Sequence, residues 1–320
     1  VRALLCPGQG AQKPGMLSAW LPGAAGAEAQ AAQEVLTLVR AASEQTGLDL
    51  LRLGTQAYAA EIRDTAVAQP LIVLASLASA IHHGLLLDDE GAQRASGQLA
   101  ASDGSGDAVA GHSLGALTAL ALAGVLTPLE AVTLAAKRGA AMAQCCRIGE
   151  PGGMTALLGG DRAAVLAAVE AAGLYAANIN GATQLVAAGT LSALDGFQAP
   201  VGVRTVRLEV AGAFHCPAMA PAASMLTQAV EELPERVLRR TIIDEATGEV
   251  HPVGSSGREL LTGLIAHLTA PVRWDLVQEQ LLRLGVTEAV ELAPAGTLAG
   301  FARRDLPGIT VTRLRAPAVV

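Results

Sequence analysis

Gly111-His112-Ser113-Leu114-Gly115 sets one serine between two glycines, the spacing of a nucleophile elbow. Val109-Ala110 ahead of it reads as the end of a buried strand, and Ala116 through Val125 as an apolar helix. So sharp a turn strains the serine backbone and admits only small neighbours, which Gly111 and Gly115 supply. The helix directs its free N–H groups and positive dipole end at whatever forms on Ser113. A serine hydroxyl is a weak nucleophile at neutral pH and needs a base within hydrogen-bond reach. Among the six histidines, His82 and His83 fall at a helix end, His251 in a polar loop, and His112 adjoins Ser113, so its ring points elsewhere. His215, in Ala211-Gly212-Ala213-Phe214-His215-Cys216-Pro217, is the candidate base, although a lone histidine in such a place is also a common structural residue. Arg138, in Ala136-Lys137-Arg138-Gly139, sits in a mostly apolar helix and must find an anion or solvent. Its planar fork matches a carboxylate in bidentate fashion, as a lysine cannot.

These groups need a scaffold, and the chain is long enough for one large domain with a small one inserted: 320 residues, 51% hydrophobic and 16% charged. Aromatics are only 2%, so the core is built from Leu, Val, Ile and Ala. A net charge of -7 with no long basic run argues against nucleic acid. The apolar stretch around Leu71–Ile81, interrupted by Ser76 and Ser79, reads as too short to span a bilayer, and no leader-like start is evident. Four cysteines without framework spacing fit a reducing compartment, and a cytoplasmic location is expected. Ala3–Cys6 reads as a strand ending at the Pro7-Gly8-Gln9-Gly10 loop. Helices are expected over Ala27–Ser43, over Pro70–His82 and from Thr127-Pro128 through Met142, with an exposed loop over Ala95–Asp107. Gly149–Gly153 reads as a hinge. Strand Met154–Leu158, helix Asp161–Ala172, strands Leu174–Ile179 and Gln184–Ala188, helix Leu191–Phe197 and strand Val203–Val210 then follow. That β-α-β-β-α-β order is the ferredoxin-like pattern. It divides the chain into a large α/β domain, residues 1–148 and 212–320, and a small domain, residues 149–211. Val286–Leu292 reads as a late buried strand.

Together these residues resemble the malonyl-CoA:acyl carrier protein transacylases, the actinobacterial type in particular, over nearly the whole chain. Pro7-Gly8-Gln9-Gly10-Ala11-Gln12 is similar to the family's N-terminal loop, and Gly111–Gly115 to its elbow. Lys137-Arg138-Gly139 matches the arginine helix, and Asn178-Ile179-Asn180 with Gln184–Gly189 a strand and its turn. Gly212–Met219 matches the histidine segment, Pro271-Val272-Arg273-Trp274 the PVRW motif, and Glu291–Leu298 the closing strand and turn. The resemblance implies an α/β-hydrolase-like large domain carrying an inserted ferredoxin-like one. It implies Ser113 as acylated nucleophile, His215 as base, and backbone N–H groups of Gln12 and Leu114 as the oxyanion hole. Arg138 would bind the free malonyl carboxylate, with Phe214, Met142 and Asn180 around the acyl group. A main-chain carbonyl, here of His267, would orient the base. Malonyl-CoA and an acyl carrier protein are the implied partners, with no metal or redox cofactor, nucleic acid or membrane, and a monomer is expected.

Two departures stand out. Ala116 replaces a frequent acidic residue after the second elbow glycine, and Ile243-Asp244-Glu245-Ala246-Thr247-Gly248 replaces a Ser-Asn pair before an Asp-Gly turn. Neither is expected to touch a catalytic atom. The competing reading is a serine esterase or thioesterase of the α/β-hydrolase class, which needs an acid between serine and histidine and a late histidine. About a hundred residues follow His215 here, and Arg138 would have no task. A dinucleotide-binding module would need a third glycine where Lys13 stands.

Overall fold

Short apolar runs bounded by glycine and proline set the strands, and long alanine- and leucine-rich runs the helices. The computed structural model describes residues 1–23, 28–87 and 106–315. Along the chain, β1 (Arg2–Cys6) precedes α1 (Ala29–Thr46), α2 (Leu50–Gln56) and α3 (Thr65–His82), and β2 (Ala108–Gly111) leads into α4 (Gly115–Leu122) and α5 (Pro128–Ile148). Then come β3 (Gly152–Leu158), α6 (Arg162–Ala171), β4 (Tyr175–Gly181), β5 (Gln184–Thr190), α7 (Leu191–Gly196) and β6 (Arg204–Arg207). The last stretch holds α8 (Ala220–Glu231), β7 (Thr241–Ile243), β8 (Val250–His251), α9 (Gly257–Ala266), α10 (Trp274–Arg283), β9 (Glu288–Glu291), α11 (Thr297–Asp305) and β10 (Thr310–Arg313).

The strands form two sheets, and the chain is a mixed α/β protein. The six-stranded sheet runs β10-β9-β1-β2-β7-β8 and is parallel except where β8 turns back on β7. β1 lies between β9 and β2, with Cys6 opposite Gly111, so the Pro7–Gln12 loop and the Ser113 turn leave the same sheet end side by side. Ligands of open α/β sheets bind at that carboxyl end. The four-stranded sheet is antiparallel, β4-β5-β3-β6, with α6 and α7 packed over Leu157, Ile179, Leu185 and Ala187. The two sheets are stitched through the PVRW segment: Ile179 N–H donates to Val272 O at 2.8 Å, and Val272 N–H to Ala177 O at 2.9 Å.

Several boundaries moved for local reasons. α3 begins at Thr65 rather than Pro70, because the Asp64 carboxylate accepts from Ala66 N–H and caps the helix ahead of the proline. With 18 residues it is, among those described, long and apolar enough to cross a membrane by length and composition, against the shorter stretch expected; all but Ala66 and Val67 of it are buried inside the protein. Ser76 and Ser79, which interrupt it, are satisfied internally: Ser76 Oγ donates to Ala293 O at 2.6 Å, and Ser79 Oγ accepts from Ala293 N–H at 3.1 Å. α5 starts as expected, with Thr127 and Glu130 capping each other's backbone N–H groups and Pro128 in the first turn. Gly149 ends α5 and Gly152-Gly153 already belong to β3, so the expected hinge shrinks to Glu150-Pro151. The loop expected over Ala95–Asp107 lies outside the described residues up to position 105, and so does Ala27 at the expected start of α1.

Candidate active site

The elbow forms because β2 and α4 meet with no spare space. A Cβ on Gly111 would run into the backbone of Gly115 and Ala116, and one on Gly115 into the carbonyl of Cys6 in β1. Ser113 is held at φ 54 and His215 at φ 55, the two non-glycine residues among those described in the left-handed region. Such strain persists only where the surroundings over-determine it. The two strained residues meet: Ser113 Oγ and His215 Nε2 are 2.7 Å apart.

His215 is oriented from behind by carbonyl groups. Its Nδ1 lies 2.9 Å from His267 O and 3.2 Å from Ala270 O, which fixes the proton on Nδ1 and leaves the Nε2 lone pair for the serine proton. The expected carbonyl of His267 is thus in place, with that of Ala270 added. The His267 ring turns away to Asp244, 3.4 Å from its carboxylate. Burial, reinforced by the charge of Arg138, pushes the His215 imidazolium down to about 3, so the ring is a neutral base across the physiological range.

Arg138 reaches the same point from α5. Its Nη2 donates to Ser113 Oγ at 3.2 Å, and its Nη1 to Gln69 Oε1 in α3 at 3.0 Å. It is buried, which pushes it down to about 10 while Glu245 acts in the opposite direction. Among the described residues no carboxylate comes within ion-pair distance of it. A buried cation without a counter-ion beside a nucleophile is an anion-binding arrangement.

A cavity of about 510 Å³ opens over these groups, between the two sheets. The Gly8–Gln12 loop, Met142 and Phe214 line one side, and Met154, Ala156 and Asn180 the other. The Gln12 side chain accepts from Gly10 N–H at 2.8 Å, which folds the loop over the cavity. Leu114 follows the nucleophile as N-cap of α4, at the end where backbone N–H groups lack helical partners. Asn180 Oδ1 lies 2.9 Å from His112 Nε2, so the His112 ring does point away from the nucleophile, toward β4 and Trp274. The expected residues Gln12, Leu114, Arg138, Met142, Asn180, Phe214 and His267 therefore all fall at or directly behind the Ser113–His215 pair.

Two participants were missed. Gln69 is a fully buried amide that holds Arg138 and also donates to Met142 Sδ at 3.3 Å. A lone amide inside an apolar helix was the signal available for it. Glu245 corrects an expectation outright. Its carboxylate accepts directly from Ser113 N–H, so the departure at 244–245 does touch the nucleophile. Both departures line one small cavity behind the elbow, Ala116 on one side and Asp244 and Glu245 on the other.

The acyl transferase domain family matches residues 3–299. The malonyl CoA-acyl carrier protein transacylase of Mycobacterium tuberculosis is 44% identical over 320 residues, covering 99% of this chain and 97% of that protein. That of Mycolicibacterium smegmatis is 42% identical over 310 residues, covering 94% and 97%. The crystal structure of MCAT from Mycobacterium tuberculosis superposes with a TM-score of 0.85 at 42% identity, covering 99% of this chain and 97% of that one. A malonyl-transacylase in complex with its type II polyketide acyl carrier protein gives a TM-score of 0.81 at 26% identity, covering 99% and 96%. The elbow serine, its carbonyl-held histidine and the buried arginine thus stand in a chain that belongs to the acyl transferase domain family.

Proposed function

We propose that this protein transfers the malonyl group of malonyl-CoA to the phosphopantetheine thiol of an acyl carrier protein, through a malonyl ester on Ser113. The observation that carries the reading is the convergence of His215 Nε2 and Arg138 Nη2 on one oxygen, Ser113 Oγ. It is joined by near-full-length similarity to relatives named as malonyl CoA-acyl carrier protein transacylases. A hydrolase triad would place a carboxylate behind the histidine. Here two carbonyl oxygens stand there instead, which favours the transferase over the esterase reading.

In this mechanism Ser113 Oγ attacks the thioester carbon while His215 Nε2 takes the hydroxyl proton. The backbone N–H groups of Gln12 and Leu114 stabilise the oxyanion of the tetrahedral intermediate. The C–S bond breaks, His215 returns the proton to the departing sulfur, and CoA leaves as the thiol. The carrier thiol then attacks the ester carbon. His215 takes the thiol proton and hands it to Ser113 Oγ as the C–O bond breaks, restoring the free enzyme. Arg138 binds the malonyl carboxylate; Phe214, Met142 and Asn180 border the acyl group.

The organisation that supports this is an α/β-hydrolase-like domain, residues 1–148 and 212–320, with a ferredoxin-like domain, residues 149–211, roofing the cleft. The strand order of the four-stranded sheet supports the second assignment. Every group of the site comes from one chain, so a monomer suffices, and the four free cysteines suit the cytoplasm. The test is incubation with malonyl-CoA in the absence of carrier protein, followed by peptide mass mapping. A malonyl adduct on the Gly111–Gly115 peptide is expected, and an adduct on Cys216 overturns the assignment.

A further inference from the structure

Glu245 sits behind the nucleophile with no role in the transfer described above. Its residue is 4% exposed, its side chain accepts from Ser113 N–H, and its own carbonyl accepts from Arg273 N–H at 2.6 Å, next to the PVRW tryptophan. Ser113 is therefore held from two sides, by an acid at its backbone nitrogen and by Arg138 at its hydroxyl. The acid and the arginine interact through space without forming an ion pair. An acyl carboxylate arriving at Arg138 would leave one buried cation between two anions, an arrangement that low dielectric penalises. A proton on the resident acid removes the conflict, and the neutral carboxyl still accepts from Ser113 N–H through its carbonyl oxygen.

We propose that Glu245 is a positioning residue that couples capture of a carboxylated acyl group to a proton: protonated, it holds the Ser113 N–H without opposing the acyl carboxylate, and ionised, it competes with that carboxylate for Arg138. This rests on the reading of Arg138 as the carboxylate binder. The charged and titratable groups around Glu245 are Asp244 beside it, Arg138 from α5, His267 from the end of α9, and His215 across Ser113. Burial, with Asp244 adding to it, pushes the Glu245 carboxyl up to about 8, against the pull of Ser113 N–H and Arg138. His267 and His215 are held below the ordinary histidine value, chiefly by burial, so they titrate beneath this window.

The test compares acylation of Ser113 by malonyl-CoA and by acetyl-CoA, without carrier protein, from about pH 6.5 to 9. His215, the oxyanion donors and CoA are common to both substrates, so their ratio isolates the acyl carboxylate. In the wild-type protein the malonyl-to-acetyl rate ratio is expected to fall roughly tenfold across the window, the effect of one opposing charge worth about one pKa unit. In Glu245→Gln the ratio is expected to be flat. An equally steep fall in Glu245→Gln, or a flat wild-type ratio, overturns the proposal. Should that variant not fold, proton uptake on malonyl-CoA binding to Ser113→Ala is measured by calorimetry in two buffers of different ionisation enthalpy. Net uptake near pH 8 beyond that seen with acetyl-CoA supports the coupling, and equal uptake overturns it. Failure of malonyl-CoA to acylate wild-type Ser113 would instead refute the transferase reading itself, and failure of acetyl-CoA alone leaves the two-buffer proton-uptake measurement as the deciding test.

Discussion

Arg138 keeps its charge inside the protein, hydrogen-bonded among the described residues to an amide and the nucleophile's hydroxyl, with Glu245 acting on it through space and no ion pair formed. A buried cation left in that state needs an anion from outside, and removing it strands the anion instead. The loss for a carboxylated substrate is roughly 3–5 kcal/mol. Arg138→Ala is therefore expected to lower malonyl transfer by several orders of magnitude while acetyl transfer is kept or improved, as measured by acylation rates with the two thioesters. Equal losses would make the residue structural. Phe214 stands immediately before the base and lines the same cavity. A pocket discriminates one extra methyl by only about 1–3 kcal/mol. Phe214→Ser is expected to narrow the gap between malonyl-CoA and methylmalonyl-CoA, mainly by raising kcat/KM for the latter, and an unchanged ratio would shift the α-carbon pocket toward Met142.

At the scale of elements, the geometry of the site depends on two backbones touching. α4 starts where Gly115 presses on the Cys6 carbonyl at the end of β1, and the strain at Ser113 is held by that contact. Adding a methyl to so tight a contact costs about 1–3 kcal/mol in stability, and movement of the elbow costs activity besides. Gly115→Ala is expected to lower the melting temperature by several degrees and to reduce Ser113 acylation by a larger factor than the stability loss explains. Wild-type acylation in a stably folded Gly115→Ala protein would show that the elbow tolerates displacement. The PVRW segment has a comparable architectural role, since Val272 exchanges backbone hydrogen bonds with β4 and Trp274 is buried against the first sheet.

For the whole molecule, the question is how a chain of net charge -7 receives a carrier protein, expected to be acidic from the resemblance to the transacylase family. Local basic groups beside the cleft must outweigh the overall repulsion. β6 is the exposed edge of the second sheet and carries Arg204 and Arg207; Leu208, Glu209 and Val210 directly after it line the cleft. Arg207 is paired with Asp195. Arg303 and Arg304 are the second choice, although Arg304 is tied to Asp305 and lies over the Phe301 ring. Reversing Arg204 and Arg207 to Glu is expected to raise the KM for carrier protein and flatten its salt dependence, with acylation by malonyl-CoA intact. An unmoved KM places the docking patch elsewhere.

The sequence alone determined the chemistry that is local in the chain. A serine between glycines, with a strand before and a helix after, is dictated by backbone sterics within five residues, and the Ser113 elbow stands as read. The β-α-β-β-α-β order was legible too, because each of its elements announces itself by periodicity and turn residues. The charge environment of the nucleophile was decided only by the tertiary structure. Gln69 and Glu245 are separated from Ser113 by 44 and 132 positions. They reach the site because α3 packs on α5, and because β7 lies beside β2 in the first sheet. Nothing in the residues around position 245 reports that its carboxylate will meet the Ser113 N–H. Helix packing and strand pairing bring those distant segments together, and burial then gives their polar and charged groups weight.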